Sequence, residues 1–554
     1  MRCEHRDGAT GRLPPDAPRT GSTLTATGTL LRFALRRDRV RTLVWAGSVA
    51  LLFLYAATAL DAVYPTAADR QVRAQLVSSP AAVMMSGPGY GLDDYTLGAM
   101  VANEFTLWAI VAVAIMNILL VVRHTRAEEE SGRSELVRAG VVGRHAPATA
   151  ALLLAVVADL LIAVLSGLVL VAAGLAVVDS FALGAAVGVT GLVFAAVAVV
   201  TSQLTGHGRT ASGLALAVLG VAYLLRAVGD VEQTHGSWVS WLSPIAWGQQ
   251  IRAFVDLRWW PLGLSLVLVV VLLLAGSALA ARRDVGAGLF PPRAGRAQAP
   301  AGLGGPFALA WRQQRGSVLA WGVGVGLMAY ASGTFADSVR EMVDELAATN
   351  PTILELFGEA DMLAGFVAVM TVFLALAVGG FAVASALRAR SEETSGRLEP
   401  VLATATSRTR WFGGQLAVTV LGVVVLLVVS GLALGLGALS VGVRDPGLGE
   451  YVLAALVYLP AVLALVGVVW FFLGWRPGLA GLAWVVLVWS FVVGMFGGLL
   501  DLPDAVMGIS PYRHVPQLPA DDVDAVGLAV LSAVALALLA LGVGGFRRRD
   551  VVSS

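Results

Sequence analysis

The sequence of 554 residues contains no lysine, so all 38 of its Lys-plus-Arg positions are arginine. A phosphate-binding loop of the form GxxxxGK[ST] uses its lysine to reach the β and γ phosphates, and this chain cannot supply one. Cysteine is nearly as scarce. The single Cys3 excludes an intramolecular disulfide and a thiolate zinc cluster, and its place near the N-terminus suggests no structural role. Charge is sparse too: 14% of residues are Asp, Glu, Lys or Arg, against roughly 25% in a soluble domain. The net charge of +1 leaves no basic surplus and gives no reason to expect nucleic acid as a partner. Neither HExxH nor GxSxG occurs, and the polar segments are too short for a separate catalytic domain.

What is present in excess is apolar. Hydrophobic residues make up 57% of the chain, and the mean hydropathy is +0.79. The 63 glycines suit close helix approach in lipid. About 20 apolar residues at ~1.5 Å rise cross a hydrocarbon core of about 30 Å. Twelve segments meet that requirement. Those in the first half are Thr42 to Leu60, Phe105 to Val122, Ala148 to Val178, Phe181 to Val200, Ala211 to Leu225 and Leu262 to Ala281. Those in the second half are Val318 to Ser332, Leu363 to Leu387, Gly414 to Leu439, Val452 to Leu473, Leu479 to Leu500 and Val526 to Val543. The expected fold class is an all-α integral membrane protein.

With the N-terminus inside, cytoplasmic segments hold 26 arginines and external ones 8, with 4 more in the N-terminal tail. This positive-inside bias predicts that both termini are cytoplasmic. Residues 1–27 lack the apolar core of a signal peptide and read as a disordered cytoplasmic tail. Trp238, Trp241, Trp247, Trp259 and Trp260 crowd one external connection, as an aromatic belt does.

The chain repeats itself. Arg126 to Arg144, after the second span, reads RAEEESGRSELVRAGVVGR; Arg390 to Arg408, after the eighth, reads RSEETSGRLEPVLATATSR. Ten of nineteen positions are identical, at equivalent topological places. Weaker matches keep the same order: Arg36, Arg39, Leu43 and Trp45 with Arg312, Arg315, Leu319 and Trp321, Pro80 and Gly87 with Pro351 and Gly358, and Ser243-Pro244 with Ser510-Pro511. The expected organisation is two tandem parallel six-span units, residues 28–284 and 307–554, joined by a cytoplasmic linker at 285–306.

In the repeated loop, the second span is expected to run on to Ser131-Gly132, where the glycine adopts the left-handed cap conformation that costs other residues a Cβ clash. A short amphipathic helix with Glu135 and Leu136 near its start would follow, and Gly396 sets the same bend in the second copy. The product is a charged elbow beside the membrane. One reading is a solvated face with Glu and Arg neutralising one another. The other is a docking surface, with Glu129 and Glu393 offered to a basic groove on a partner.

The pattern E-E-x-x-G-R-x-E between the second and third spans resembles the cytoplasmic loop of ATP-binding-cassette type-2 permeases. More narrowly, the chain from about Leu31 to Arg549 is similar to the tetronasin-resistance or polyketide-antibiotic exporter permeases of actinobacteria, in which two type-2 permease units are fused. Tyr64-Pro65-Thr66, Asn350-Pro351 and the run from Ser510 to Pro516 support the likeness. It implies a coupling helix docked on an ATPase subunit, and hence that role for Glu128, Glu129, Gly132, Arg133 and Glu135 and for Glu392, Glu393, Gly396, Arg397 and Glu399. It further implies two copies of that ATPase carrying ATP and Mg2+, no cofactor on this chain, a hydrophobic or amphipathic cargo moved outward, and a place in a bacterial plasma membrane. Copy one has Leu136 where copy two has Pro400, so the two docking sites need not be equivalent.

A secondary transporter of the major-facilitator class also has twelve spans in two halves. Ion coupling usually leaves ionisable groups inside the membrane. Asp159 is the clear candidate, read here as a helix-packing carboxylate, and Arg226 falls at a span end where it would snorkel. A membrane-embedded enzyme would need an acid-base pair such as His514 with Asp501 or Asp504, which the sequence presents only as a proline-bounded external turn.

Overall fold

The computed structural model describes residues 22–284, 286–290, 295, 298–299, 301–337, 339–340, 359–496 and 503–550. All regular structure among the described residues is helical, with no strand. Residues 1–21 of the expected tail, much of the linker, Asn350, Pro351, Gly358 and Asp501 lie outside them.

Twelve helices are long and apolar enough to cross a membrane. The chain falls into two compact units, Met1–Ala294 and Gly295–Ser554. The first holds α1 (Thr27–Val63), α2 (Leu97–Glu130), α3 (Ala146–Ala172), α4 (Val177–Leu204), α5 (Gly208–Glu232) and α6 (Trp260–Ala281). The second holds α7 (Pro306–Thr334), α8 (Met362–Thr394), α9 (Arg408–Ser440), α10 (Leu448–Trp475), α11 (Pro477–Gly494) and α12 (Ala525–Arg548). The protein is a multi-pass, all-α membrane protein.

Helix ends depart from the apolar runs for local reasons. α1 begins at Thr27, so Arg32, Arg36, Arg37, Arg39 and Arg41 stand on its first turns rather than in a loop before it. The single run read from Ala148 to Val178 is cut short because Gly174, at φ +88°, turns the chain between α3 and α4. Pro460 interrupts α10 after Leu456, since it has no N–H to give and its ring displaces the preceding turn.

In the first unit α4 is the central helix, packed against α2, α3, α5 and α6, while α1 lies along α3 and α2. In the second, α7 runs along α9, α10 along α12, and α8 is set among α7, α9, α10 and α11. Where α10 meets α12 the backbones touch: a Cβ on Gly474 would stand 2.3 Å from the Gly542 carbonyl oxygen, and one on Gly542 2.5 Å from that of Trp470. Without an apolar-versus-water driving force in lipid, such close dispersion contact is what holds the pair. Several buried polar groups inside the units are paired. Asp38 of α1 takes Arg123 at 2.8 Å and also His124. In the second unit, Ser385 donates to Gln314 Oε1 at 2.6 Å, and Gln314 Nε2 donates to Gln415 Oε1 at 3.2 Å, tying α7, α8 and α9.

Candidate functional site

Each unit carries an elbow at the end of its second long helix. Thr125 breaks α2 at φ −119°, ψ −84°, after which Arg126–Glu130 resumes as helix. This is a break that the apolar pattern does not announce. Ser131 and Gly132 then turn the chain into Arg133–Arg138. In the second unit Arg388–Thr394 is followed by the turn at Ser395 and Gly396 and by Leu398–Leu402. Gly132 has φ +74° and Gly396 φ +70°. A Cβ at either would meet no atom within 4 Å, so backbone conformation alone selects glycine there.

Glu129 and Glu393 are turned inward and occupied, not offered outward. Arg283, just past α6, makes a two-pronged contact with Glu129: Nη2 to Oε1 and Nη1 to Oε2, each 2.9 Å. Arg126 adds a third bond to Glu129 Oε2 at 2.7 Å. Arg549, just past α12, grips Glu393 in the same way, with Nη2 2.6 Å from Oε2. Both arginines also reach the end of the fourth helix of their unit. Arg283 Nε donates to Gln203 Oε1 of α4 at 2.7 Å, and Arg549 Nε to the Leu473 carbonyl of α10 at 2.9 Å. The side chains are about nine-tenths buried at Glu129 (10% exposed) and more so at Glu393 (5%). Both carboxylates are buried and already paired with arginines of their own unit, so this structure does not present either of them to a partner's basic groove.

The remaining elbow residues divide by exposure. Glu128 accepts from Arg37 of α1 at 2.6 Å, and Glu392 from Arg397 at 2.9 Å. Glu135 and Leu136 are exposed, as are Glu399 and Pro400, and the Arg133 and Arg397 side chains are more than half exposed. Leu398 is buried and pins the second short helix down. Glu130, not singled out from sequence, caps α5 by accepting from the Gly208 N–H at 2.8 Å, a favourable carboxylate at a helix N-terminus. Arg283 and Arg549 were also missed. The signal for them was their matching place just after the last span of each unit.

Elsewhere, Arg226 does not snorkel. It is fully buried, donates to the carbonyls of Met84 (2.7 Å) and Val83 (3.1 Å), and lies 3.5 Å from Asp230, because the short helix Pro80–Ser86 folds over it. Asp159, at the middle of α3, accepts from Asn117 Nδ2 of α2 at 2.9 and 3.1 Å. His514 and Asp504 are not partners, since Asp504 takes Arg513 at 2.9 Å and His514 Nε2 faces the Gly508 carbonyl at 2.9 Å. Trp238, Trp259 and Trp260 are exposed, and Trp241 stacks on Trp260 at 5.1 Å.

Twelve apolar helices in two units, each with a charged elbow braced against the end of its last span, mark an all-helical membrane permease. The family described as multidrug efflux system permease Rv1217c, C-terminal domain, matches residues 28–280 and 303–547. Over 542 residues, 97% of this chain and 97% of the relative, the sequence is 39% identical to the multidrug efflux system permease protein Rv1217c of Mycobacterium tuberculosis (strain ATCC 25618 / H37Rv). The chain belongs to this permease family.

Proposed function

We propose that this chain is the transmembrane permease subunit of an ATP-driven efflux system and that each elbow docks one copy of a separate nucleotide-binding subunit. The observation that carries the reading is the twinned brace, Glu129 on Arg283 and Glu393 on Arg549. A rigid push on an elbow is passed through it to the ends of α6 and α12, and through the arginines to α4 and α10, rather than being absorbed by a loose loop. The exposed residues Arg133, Glu135 and Leu136, with Arg397, Glu399 and Pro400, form the contact face. Glu128 and Glu392 steady it, and Gly132 and Gly396 set its angle. The likeness to a multidrug efflux permease supports outward transport.

ATP and Mg2+ sit on the partner, in keeping with a chain that has no lysine for a phosphate loop. Nucleotide-driven closure of the two partners switches the spans between inward- and outward-facing states. The apolar character of the spans suits a hydrophobic or amphipathic cargo entering from the inner leaflet, of the polyketide-antibiotic kind handled by tetronasin-resistance permeases. The arginine bias supports cytoplasmic termini, linker and elbows. The ten identities between the elbows and the shared helix pairings, α1 with α3 and α7 with α9, α4 with α6 and α10 with α12, support two parallel repeats.

The test is affinity purification of the chain from its native membrane, with mass spectrometry of what accompanies it and ATPase assay of the chain alone. A nucleotide-binding protein should co-purify, and the isolated chain should turn over no ATP. Turnover by the isolated chain, or transport by the chain alone in proteoliposomes without ATP, would sink the reading.

A further inference from the structure

Beneath the first elbow lies a cavity of about 160 Å³ enclosed by α1, α2, the elbow, α3, α4 and the end of α6. Four arginines line it, Arg37, Arg126, Arg144 and Arg283, against two carboxylates, Glu128 and Glu129. The wall thus carries a surplus of two positive charges with its histidines neutral. Arg126 itself is closed off behind the wall: its side chain is fully buried and its guanidinium donates to Glu129 and to the carbonyls of Gly286 and Ala287. The wall also carries the apolar side chains Leu30, Phe33, Ala34, Pro147 and Ala148, with Phe33 61% exposed. The cavity therefore offers guanidinium donors to an anionic group and an apolar flank to whatever is attached to it.

We propose that this cavity is a binding site for the headgroup of an acidic phospholipid, the phosphate facing Arg37 and Arg144 and the acyl chains leaving along Leu30 and Phe33. Arginine is the residue suited to phosphate, because its planar fork donates two parallel hydrogen bonds. The arrangement is built rather than diffuse. Arg144 is held by donating to the Ala280 carbonyl at 2.6 Å, and Arg37 by Glu128 at 2.6 Å. An occupied site links Arg37 of α1 to Arg144, just before α3, beside the elbow, so lipid binding stiffens the first elbow. The inference needs only that the elbow end lies at a membrane boundary, and it stands whether or not an ATPase docks there.

The experiment uses the full chain purified in neutral detergent, with phosphatidylglycerol or phosphatidylcholine added in mixed micelles. Adducts are counted by native mass spectrometry and the thermal midpoint is followed. Phosphatidylglycerol should bind as one tight adduct and raise the midpoint; phosphatidylcholine should not. The double variant Arg37→Gln with Arg144→Gln should weaken phosphatidylglycerol binding roughly 10- to 30-fold. Arg36→Gln with Arg39→Gln removes the same charge from exposed positions outside the cavity and should leave binding within about twofold. Arg144→Gln alone, whose side chain is at the rim, serves if the double variant does not fold; it should weaken binding severalfold while melting normally without lipid. Equal losses in the two double variants, no loss in Arg144→Gln, or full stabilisation by inorganic phosphate alone would overturn the assignment to a lipid site.

Discussion

Glu393 and Arg549 stand 156 residues apart in the chain, yet Arg549 Nη2 lies 2.6 Å from Glu393 Oε2, closing the second elbow onto the end of the last span. The first unit makes the same closure between Glu129 and Arg283 across 154 residues. Removing one member of such a buried pair leaves the other charge without its partner, at a cost of about 3 kcal/mol, while replacing both by apolar groups costs much less. Glu393→Leu and Arg549→Met are each expected to lower the thermal midpoint in detergent more than the double change does. A double-mutant cycle on melting checks this, and additive losses would show that the two charges do not depend on one another.

The exposed face of the first elbow should behave differently from its braced interior. Leu136→Glu alters a side chain that is 80% exposed. The thermal midpoint should stay unchanged, while recovery of the nucleotide-binding partner falls about fivefold or more, equivalent to about 1 kcal/mol of interface energy. A quantitative pull-down reads the result. Unchanged recovery would favour a merely solvated loop.

Gly132 and Gly396 have room for a side chain but not the backbone freedom for one. Valine at either position should cost about 1–2 kcal/mol, and asparagine, which tolerates the left-handed region, noticeably less. Drug-stimulated ATP turnover by the chain reconstituted in proteoliposomes with its nucleotide-binding partner should follow the same order, because the bend sets the angle of the contact face. Equal behaviour of Val and Asn would point to a cause other than backbone conformation.

Asp159 separates a packing role from ion coupling. Asn117 Nδ2 donates to both Asp159 oxygens, at 2.9 and 3.1 Å, and an uncharged amide at position 159 keeps one oxygen to accept that bond. Asp159→Asn should therefore transport and melt as the parent does, whereas Asp159→Ala strands Asn117 and costs about 1–3 kcal/mol. Loss of transport in Asp159→Asn, measured by cargo accumulation in vesicles at equal expression, would revive a proton-coupled mechanism.

The contact between α10 and α12 supplies a fold test. Gly542→Ala forces a methyl to within 2.5 Å of the Trp470 carbonyl oxygen, backbone that cannot swing aside. The helices must separate, losing about 1–3 kcal/mol. The thermal midpoint should fall, while Gly544→Ala, with open space around it, should leave it unchanged.

Composition alone determined that this is a multi-pass helical protein, because a chain so poor in charge and rich in 20-residue apolar runs can satisfy its backbone in lipid only as helices. The glycine bends and the short helices after them were also legible, since a left-handed turn leaves a local mark: Ser-Gly between charged runs. What the tertiary structure decided is the fate of each charge. Glu129 and Glu135 look alike in sequence, one residue type in one elbow, but one is locked to Arg283 and the other faces solvent. Arg226 sits at the edge of an apolar run, yet a short helix from far upstream caps it and buries it. Hydrophobicity is summed along the chain and can be read there; the pairing of a charge depends on which distant helix end arrives beside it, and only packing brings those ends together.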